Sequence, residues 1–215
     1  MEHRITAAFK IIPIESSLSE QALTLVAEQF CANSTLHRAM NISPREFYNH
    51  LHPLWQEYAF DGPIDTLVAV SHEHTEVVGC IIACPFPMQL ESLKTLPEKQ
   101  RPITALLQAL EASYLKNNPM IDQSLLVDIA VVDKGVANRG IYQKLRAELH
   151  LRAKEAGYKK IYGELSSSAT QHVCVDNLRH KVVSEIAFKN FIYNGKRPFA
   201  SIDSPASIQL VEGTL

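Results

Sequence analysis

Asp128 and Glu164 are the acidic residues whose neighbours in the chain suit them to chemistry. Asp128 interrupts Leu125–Val132, an otherwise continuous apolar run, and Glu164 lies in the short run Lys160–Leu165. A carboxylate on a buried strand is disfavoured in its charged form, so its pKa rises toward the range of a general base that works at neutral pH through a water. A salt bridge or a set of backbone amides would occupy Asp128 equally well, and Glu164 reads first as structural. His172 and Cys174 lie on a helix predicted over Ala169–Arg179 and are secondary candidates, Cys174 as an acyl-carrying nucleophile or as an ordinary buried thiol.

A second chemical feature is the junction Val131–Leu145, where an apolar run gives way to a long amphipathic segment through Gly135 and Gly140. A strand, a short glycine-containing loop and a helix leave several backbone amides unpaired at the helix start. The helix dipole adds partial positive charge there, so phosphate oxygens are a natural ligand. Gly140 lets a bulky anion approach the backbone, and Arg139 can add a charge-assisted contact. A helix start without a ligand is the plainer reading. Neither GxxxxGK(S/T) nor GxGxxG is present, which argues against nucleoside triphosphates and dinucleotides.

The elements that must position these residues follow from periodicity and punctuation. A first strand is predicted over Thr6–Ile14, and a helix from a Ser17–Glu20 capping box to about Ala32. A second capping box, Ser43 to Glu46 with Pro44 at the first helical position, opens a helix with an aromatic face of Phe47, Trp55 and Tyr58 that ends at Asp61–Pro63. Thr66–Val70 and Val77–Ala83 read as a hairpin, and Pro85–Pro102 as a loop able to cover a site. A helix over Ile103–Leu115, a two-face-buried strand over Leu125–Val132, a helix over Gly140–Ala156 and a strand over Lys160–Leu165 come next. Terminal strands at Val182–Phe188 and Ser207–Val211 flank a turn at Asn194–Gly195.

Composition sets the outer bounds. A chain of 215 residues fits one domain, residues 1–215, with its own core. With 21 Lys and Arg against 23 Asp and Glu, the net charge of -2 supplies no chain-wide attraction to nucleic acid or an anionic membrane. Cys31, Cys80, Cys84 and Cys174 lack disulfide or zinc spacing and read as reduced, buried thiols, so a soluble, cytoplasmic protein is expected. No metal is expected: His72 and His74 sit on a hairpin turn without a third partner, and His50 and His52 point from different helix faces. The oligomeric state, monomer or homodimer, is not set by the sequence.

The Val131–Leu145 junction resembles the acetyl-CoA loop of the GNAT (GCN5-related N-acetyltransferase) family. Val132 matches the valine that opens the family motif, Gly140 its central glycine and Ile141 the aliphatic residue after it. Lys134 stands where the family has Pro, Ala137 for Arg or Gln, Asn138 for the first Gly, and Tyr142 for the last small residue. The order of predicted elements is also the family's over nearly all the chain. Phe30–Leu36 resembles the Phe-Phe-x-x-Glu-Pro-Leu stretch of the arylalkylamine branch, and Val183–Phe191 its Val-x-Glu-Ile-x-Tyr-x-Asp-Tyr run.

The resemblance implies an α/β fold with a mixed, mostly antiparallel sheet flanked by helices and splayed near the phosphate loop. It implies acetyl transfer from acetyl-CoA, as cosubstrate, to a small primary amine in a ternary complex, with no nucleic acid or membrane as partner. Ala130, Val131 and Val132 would contact pantetheine through their backbone, as would Asn177 from its helix. Gly135, Val136, Ala137, Asn138, Arg139, Gly140, Ile141 and Tyr142 would carry the pyrophosphate. The branch's acidic base falls on Ser34, the family's tyrosine acid near Val175, and its Gly-Phe on Arg179–His180, which leaves Asp128 and Glu164 as the catalytic candidates. The alternative is a non-catalytic CoA-binding or protein-interaction module of the same fold, and a third reading is transfer to a protein N-terminus or lysine.

Overall fold

The computed structural model describes residues 9–71, 76–87, 93–118 and 121–215. Within these, β1 (Phe9–Pro13), β2 (Leu67–Ser71), β3 (Val77–Pro85), β4 (Ser124–Val132), β5 (Lys160–Leu165), β6 (Lys181–Ala187) and β7 (Ser207–Thr214) form one sheet in the order β1-β2-β3-β4-β5-β7-β6. Every pairing is antiparallel except β4 with β5. The expected mixed, mostly antiparallel α/β architecture is the one observed.

Side-chain alternation on β3 and β4 divides the core between two faces. Cys80, Ile82, Leu126, Ile129 and Val131 face the layer made by α1 (Ser19–Asn33), α2 (Thr35–Ala39), α3 (Pro44–Leu51), α4 (Trp55–Phe60) and α5 (Arg101–Leu115). Ile81, Leu125 and Val127 face α6 (Ile141–Glu155), whose Ile141, Leu145, Leu149 and Ala153 follow the 3.6-residue period of the sequence. Leu145 and Leu149 are fully buried, each contributing about 1.5–3 kcal/mol. Gly79 lets α6 come this close: a Cβ there would stand 3.1 Å from both Ile141 and Leu145. The last helix, α7 (Ser168–Gln171), runs on as a π-helical turn over His172–Asn177 and ends with Arg179 at a φ of 59°.

Two expected features differ in instructive ways. The Ser43–Glu46 capping box is formed, but the one at Ser17 is not; Ser16–Leu18 makes a 3-10 turn instead, and α1 begins at Ser19 without a side-chain cap. Side chains at the helix start make tertiary contacts instead: Tyr48 donates to Glu20, the acid of the expected box, at 2.7 Å, and the Trp55 indole donates to Ser19 at 3.0 Å. The aromatic helix from Ser43 is broken into α3 and α4 by a 3-10 turn at His52–Leu54, because Pro53 has no N–H for the helical ladder. Asn194 and Gly195 both have positive φ in a tight turn closed by Tyr193 and Lys196, within the long β6–β7 connection. His72 and His74 lie outside the described residues, as do parts of the first strand and of the Pro85–Pro102 loop. All four cysteines are free; Cys84 is only partly buried. No helix among the described residues is long and apolar enough to cross a membrane.

Candidate functional site

The site begins where two parallel strands stop pairing. β4 and β5 are in register from Ser124 with Lys160 to Val127 with Gly163, and then part. Asp128 and Glu164 are the next residues on each strand. On its other side β4 is bulged: the register with β3 passes from Ile82 opposite Ile129 to Ala83 opposite Val127, leaving Asp128 without a partner. Asp133 N–H bonds Val78 C=O at 2.9 Å, so strand alternation turns the N–H and C=O of Ala130 and Val132 away from β3 and into the gap.

A cleft of ≈ 510 Å³ opens at this parting, between β4 and the start of α6 on one side and the end of β5 and α7 on the other. Of the residues expected to hold a cofactor, Ala130, Val131, Val132, Ala137, Asn138, Gly140, Ile141 and Tyr142 line it. Gly135, Val136, Arg139 and Asn177 do not. The Gly135 amide is bonded to Asp133 Oδ1 at 2.6 Å, in the 3-10 turn Lys134–Val136, and Asn177 is exposed at the far end of the π turn. Gln143, Arg146, Ser167, Thr170 and Val173 join the lining without having been anticipated.

The junction before α6 has the geometry of an anion site. Gly140 is the N-cap at φ 76°, a left-handed conformation that favours glycine, and Asn138 also has a positive φ of 62°. No side chain caps the helix, and the first helical bond is Lys144 N–H to Gly140 C=O at 3.0 Å. The amides of Ile141, Tyr142 and Gln143 therefore have no acceptor within the helix. Tyr142, in place of a small residue, turns away from these amides toward α7, its hydroxyl 3.7 Å from Cys174 Sγ.

Behind the cleft lies a smaller chamber of ≈ 170 Å³. Phe30, Ser34, Asp128, Glu164 and Ser166 belong to both spaces and form the seam between them. Apolar and aromatic groups from α1, α3, α4 and α5, among them Phe47, Leu51, Tyr58, Ile103 and Leu107, wall the chamber, with His37, His50, Gln100 and Thr104 as its polar members. Thr35 ties the helical wall to the end of β5 by donating to Ser166 C=O at 2.7 Å. Ser34 caps α2 and lies 3.0 Å from His37 Nδ1. Burial, with the charge of His50 adding to it, holds His37 down at about 4, so its ring is neutral.

The electrostatics at the seam involve three carboxyls. Burial pushes Asp128 up to about 6. It raises Glu164 well above the ordinary carboxylate value as well, and the neighbouring Glu111 and Asp128 charges push the same way. Glu111, reaching in from α5, is 4% exposed; burial and the Asp128 charge lift it to about 7. One buried oxygen each of Glu111 and Glu164 has no hydrogen-bond partner. The Cys84 thiol faces the same group and is pushed up by burial and by all three acids. Sequence reasoning missed Glu111, yet a signal existed: it sits four residues after Leu107 and three before Tyr114, inside the apolar stripe of its helix.

The secondary candidates are placed apart from the seam. His172 is exposed and paired with Asp176 at 2.8 Å, and Cys174 is fully buried beside Arg146. No group of three or more metal-ligating side chains occurs among the described residues.

Neither a protein-family model nor a curated protein matches the sequence. Solved structures do match in fold. The C-terminal condensation domain of Ebony, in complex with beta-alanyl-dopamine, superposes with a TM-score of 0.85 at 12% identity, over 97% of this chain and 100% of that one. Arylalkylamine N-acetyltransferase 2 from Aedes aegypti gives 0.78 at 17% identity, over 96% and 98%. A GNAT-family acetyltransferase from Staphylococcus aureus gives 0.52 at 15% identity, over 97% and 99%. With the parted β4 and β5 strands and the glycine-capped α6, these likenesses show that the chain has the fold of the GNAT acetyltransferases.

Proposed function

We propose that the protein is an acetyl-CoA-dependent N-acetyltransferase that acts on a small primary amine with an apolar or aromatic body. The observation that carries this reading is the meeting of an open cleft and an inner chamber at Asp128 and Glu164. The cleft fits the donor: unpaired amides at the α6 start suit phosphate oxygens, and the backbone groups of Ala130 and Val132 suit an amide-rich pantetheine arm. When bound, acetyl-CoA supplies the activated acyl group and a thiolate leaving group. The chamber fits the acceptor, since its apolar walls end in carboxyls that attract an ammonium head. The similar structures support the class, one being named for arylalkylamines and another being bound to beta-alanyl-dopamine.

The three carboxyls divide the proton work. Asp128 ionises first, at about 6, and is the base that takes the proton from the ammonium, directly or through water. Glu164 is pushed well above the ordinary carboxylate value by burial and by the Glu111 and Asp128 charges, which favours its protonated form, a hydrogen-bond donor at the seam. Glu111 stands behind them as the group that titrates next. The three share their charge, so their titration belongs to the set as a whole.

A non-catalytic CoA-binding role is favoured by one observation: Ser34, where the arylalkylamine branch has its acid, is committed to capping α2. Calorimetry with acetyl-CoA, then thiol release over a panel of arylalkylamines and aliphatic amines, separates the two. Saturable binding with turnover is expected; binding without turnover on any amine leaves the non-catalytic role, and no binding sinks both.

A further inference from the structure

The inner chamber changes character from one end to the other, and α5 shows the change along a single stripe. Gln100, Thr104, Leu107 and Glu111 follow one another at spacings that put them on one face of the helix, Gln100 being its N-cap. At 1.5 Å per residue, Thr104 lies about 10 Å and Gln100 about 16 Å from the level of Glu111. Glu111 stands beside the carboxyls of the seam, whereas Gln100, Thr104 and Leu107 line the chamber itself.

The end remote from the seam is polar but uncharged. Gln100 is 8% exposed, and among the described residues neither its side-chain amide nor the Thr104 hydroxyl has a hydrogen-bond partner. A buried amide left unpaired forfeits its solvation and gains nothing in return. Among the described residues of the wall, the acids are Asp128 and Glu164, both at the seam. Glu46, which Lys99 brings to the Gln100 side of the molecule, is exposed and spent on Lys99 at 2.7 Å and on the Ser43 cap. Between the two ends Phe47, Leu51, Ile103 and Leu107 offer apolar surface. A molecule that fills the chamber therefore meets acid at one end, hydrocarbon in the middle and a neutral hydrogen-bonding pair at the other.

We infer that Gln100, with Thr104 one turn on, is the specificity determinant of the chamber, and that it selects a primary amine carrying an uncharged hydroxyl at the end remote from its nitrogen. A hydrocarbon tail in the same place leaves the buried amide unpaired, and a second ammonium finds no counter-charge there. The orientation needs only the acids at the seam; that the amine is then acylated rests on the acetyltransferase reading.

Recognition and acylation are therefore measured separately, with tyramine, phenethylamine and cadaverine as probes. Calorimetry of the full chain, with and without coenzyme A, reads recognition, and thiol release from acetyl-CoA reads acylation. The unaltered protein is expected to prefer tyramine to phenethylamine by about tenfold to a hundredfold, with cadaverine the weakest. Gln100→Leu should erase most of that preference. Gln100→Glu should raise cadaverine at the expense of tyramine, a switch that a merely structural glutamine would not give. A tyramine preference that depends on Gln100 but comes without acyl transfer keeps the determinant and removes the acetyltransferase reading. Equal kcat/KM for the three amines, or a preference that Gln100→Leu leaves intact, overturns the determinant while that reading stands; no binding and no turnover of any of them overturns it as well. Should both variants fail to fold, a crystal structure of the unaltered protein with tyramine decides. A phenol within hydrogen-bonding distance of the Gln100 amide supports the inference, and a phenol placed elsewhere overturns it.

Discussion

Among the described residues, three carboxyls lie together without a paired cation at the parting of β4 and β5, and farther along α6 a guanidinium lies without a paired carboxylate. Both regions are buried and both carry orphaned polar atoms. They answer burial differently. Asp128, Glu111 and Glu164 can take up protons, and their pKa values rise until much of the charge is gone. Arg146 instead donates from Nη2 to Cys174 Sγ and leaves its Nε without an acceptor. The molecule also contains a carboxyl that solves the problem internally. Burial raises Glu212, but hydrogen bonds from Tyr114 and Tyr162 at 2.6 Å and from Lys160 at 3.0 Å outweigh it and hold it below the usual carboxylate value. A satisfied acid staples α5, β5 and β7, whereas unsatisfied ones border a cavity. On the proposed acetyltransferase reading, the proton chemistry belongs to the seam and the phosphate contacts to the start of α6.

The largest effect should come from Asp128→Asn. Removing the base is expected to lower kcat/KM by about a hundredfold or more, with thermal stability unchanged or higher because a buried charge is gone. Steady-state thiol release beside a melting curve checks both, and unchanged turnover would remove Asp128 as the base. Turnover of the unaltered protein should fall as pH drops through about 6, as Asp128 takes up its proton.

Next in size is a pH-dependent effect of Glu111→Gln. Glu111 has a folded-state pKa of about 7 against an ordinary value of 4.5, so its folded form holds the proton more strongly. Its contribution to stability is present below about pH 4.5 and is lost as pH rises through 7. The variant should therefore gain on the unaltered protein from pH 5 to pH 8, by up to about 3 kcal/mol. Denaturant unfolding at the two pH values measures it; a stability difference that does not change with pH would detach Glu111 from the carboxyl set.

Arg146→Met should have a smaller effect of opposite character. Without ligand, losing an uncompensated cation is expected to raise stability by about 1–2 kcal/mol. A clear loss of stability would show instead that the contact with Cys174 satisfies the guanidinium.

The sequence made one of these regions far more legible than the other. Asp128 and Glu164 stood out because each breaks an apolar strand, and β4, α6 and β5 were readable almost to the residue from two-face burial and the helical period. Glu111 was recoverable from its place in an apolar stripe. Arg146 was not, because it flanks the apolar stripe of α6 and is buried by a tertiary contact, beside Cys174 in the π-helical turn that continues α7. The chamber was hidden for a similar reason: its walls are assembled from five helices, α1 to α5, closed by Asp128, Ile129, Glu164 and Ile208 of the sheet. Local pattern could not show that Glu20, the acid of the expected Ser17 capping box, would be taken up by Tyr48.

The smallest expected effect sharpens the contrast between the buried Arg146 and an exposed arginine just before the same helix. Arg139 stands in the loop beside Gly140, where sequence reasoning placed a phosphate contact; it is exposed and outside the cleft lining. Water screens an exposed charge, so any attraction it adds to a bound phosphate is weak and falls with salt. Arg139→Gln is therefore expected to change coenzyme A affinity by less than about threefold at physiological ionic strength, with the difference shrinking as salt is raised. Parallel titrations at low and high salt decide the point: a large, salt-resistant loss in Arg139→Gln would move the phosphate out to the loop.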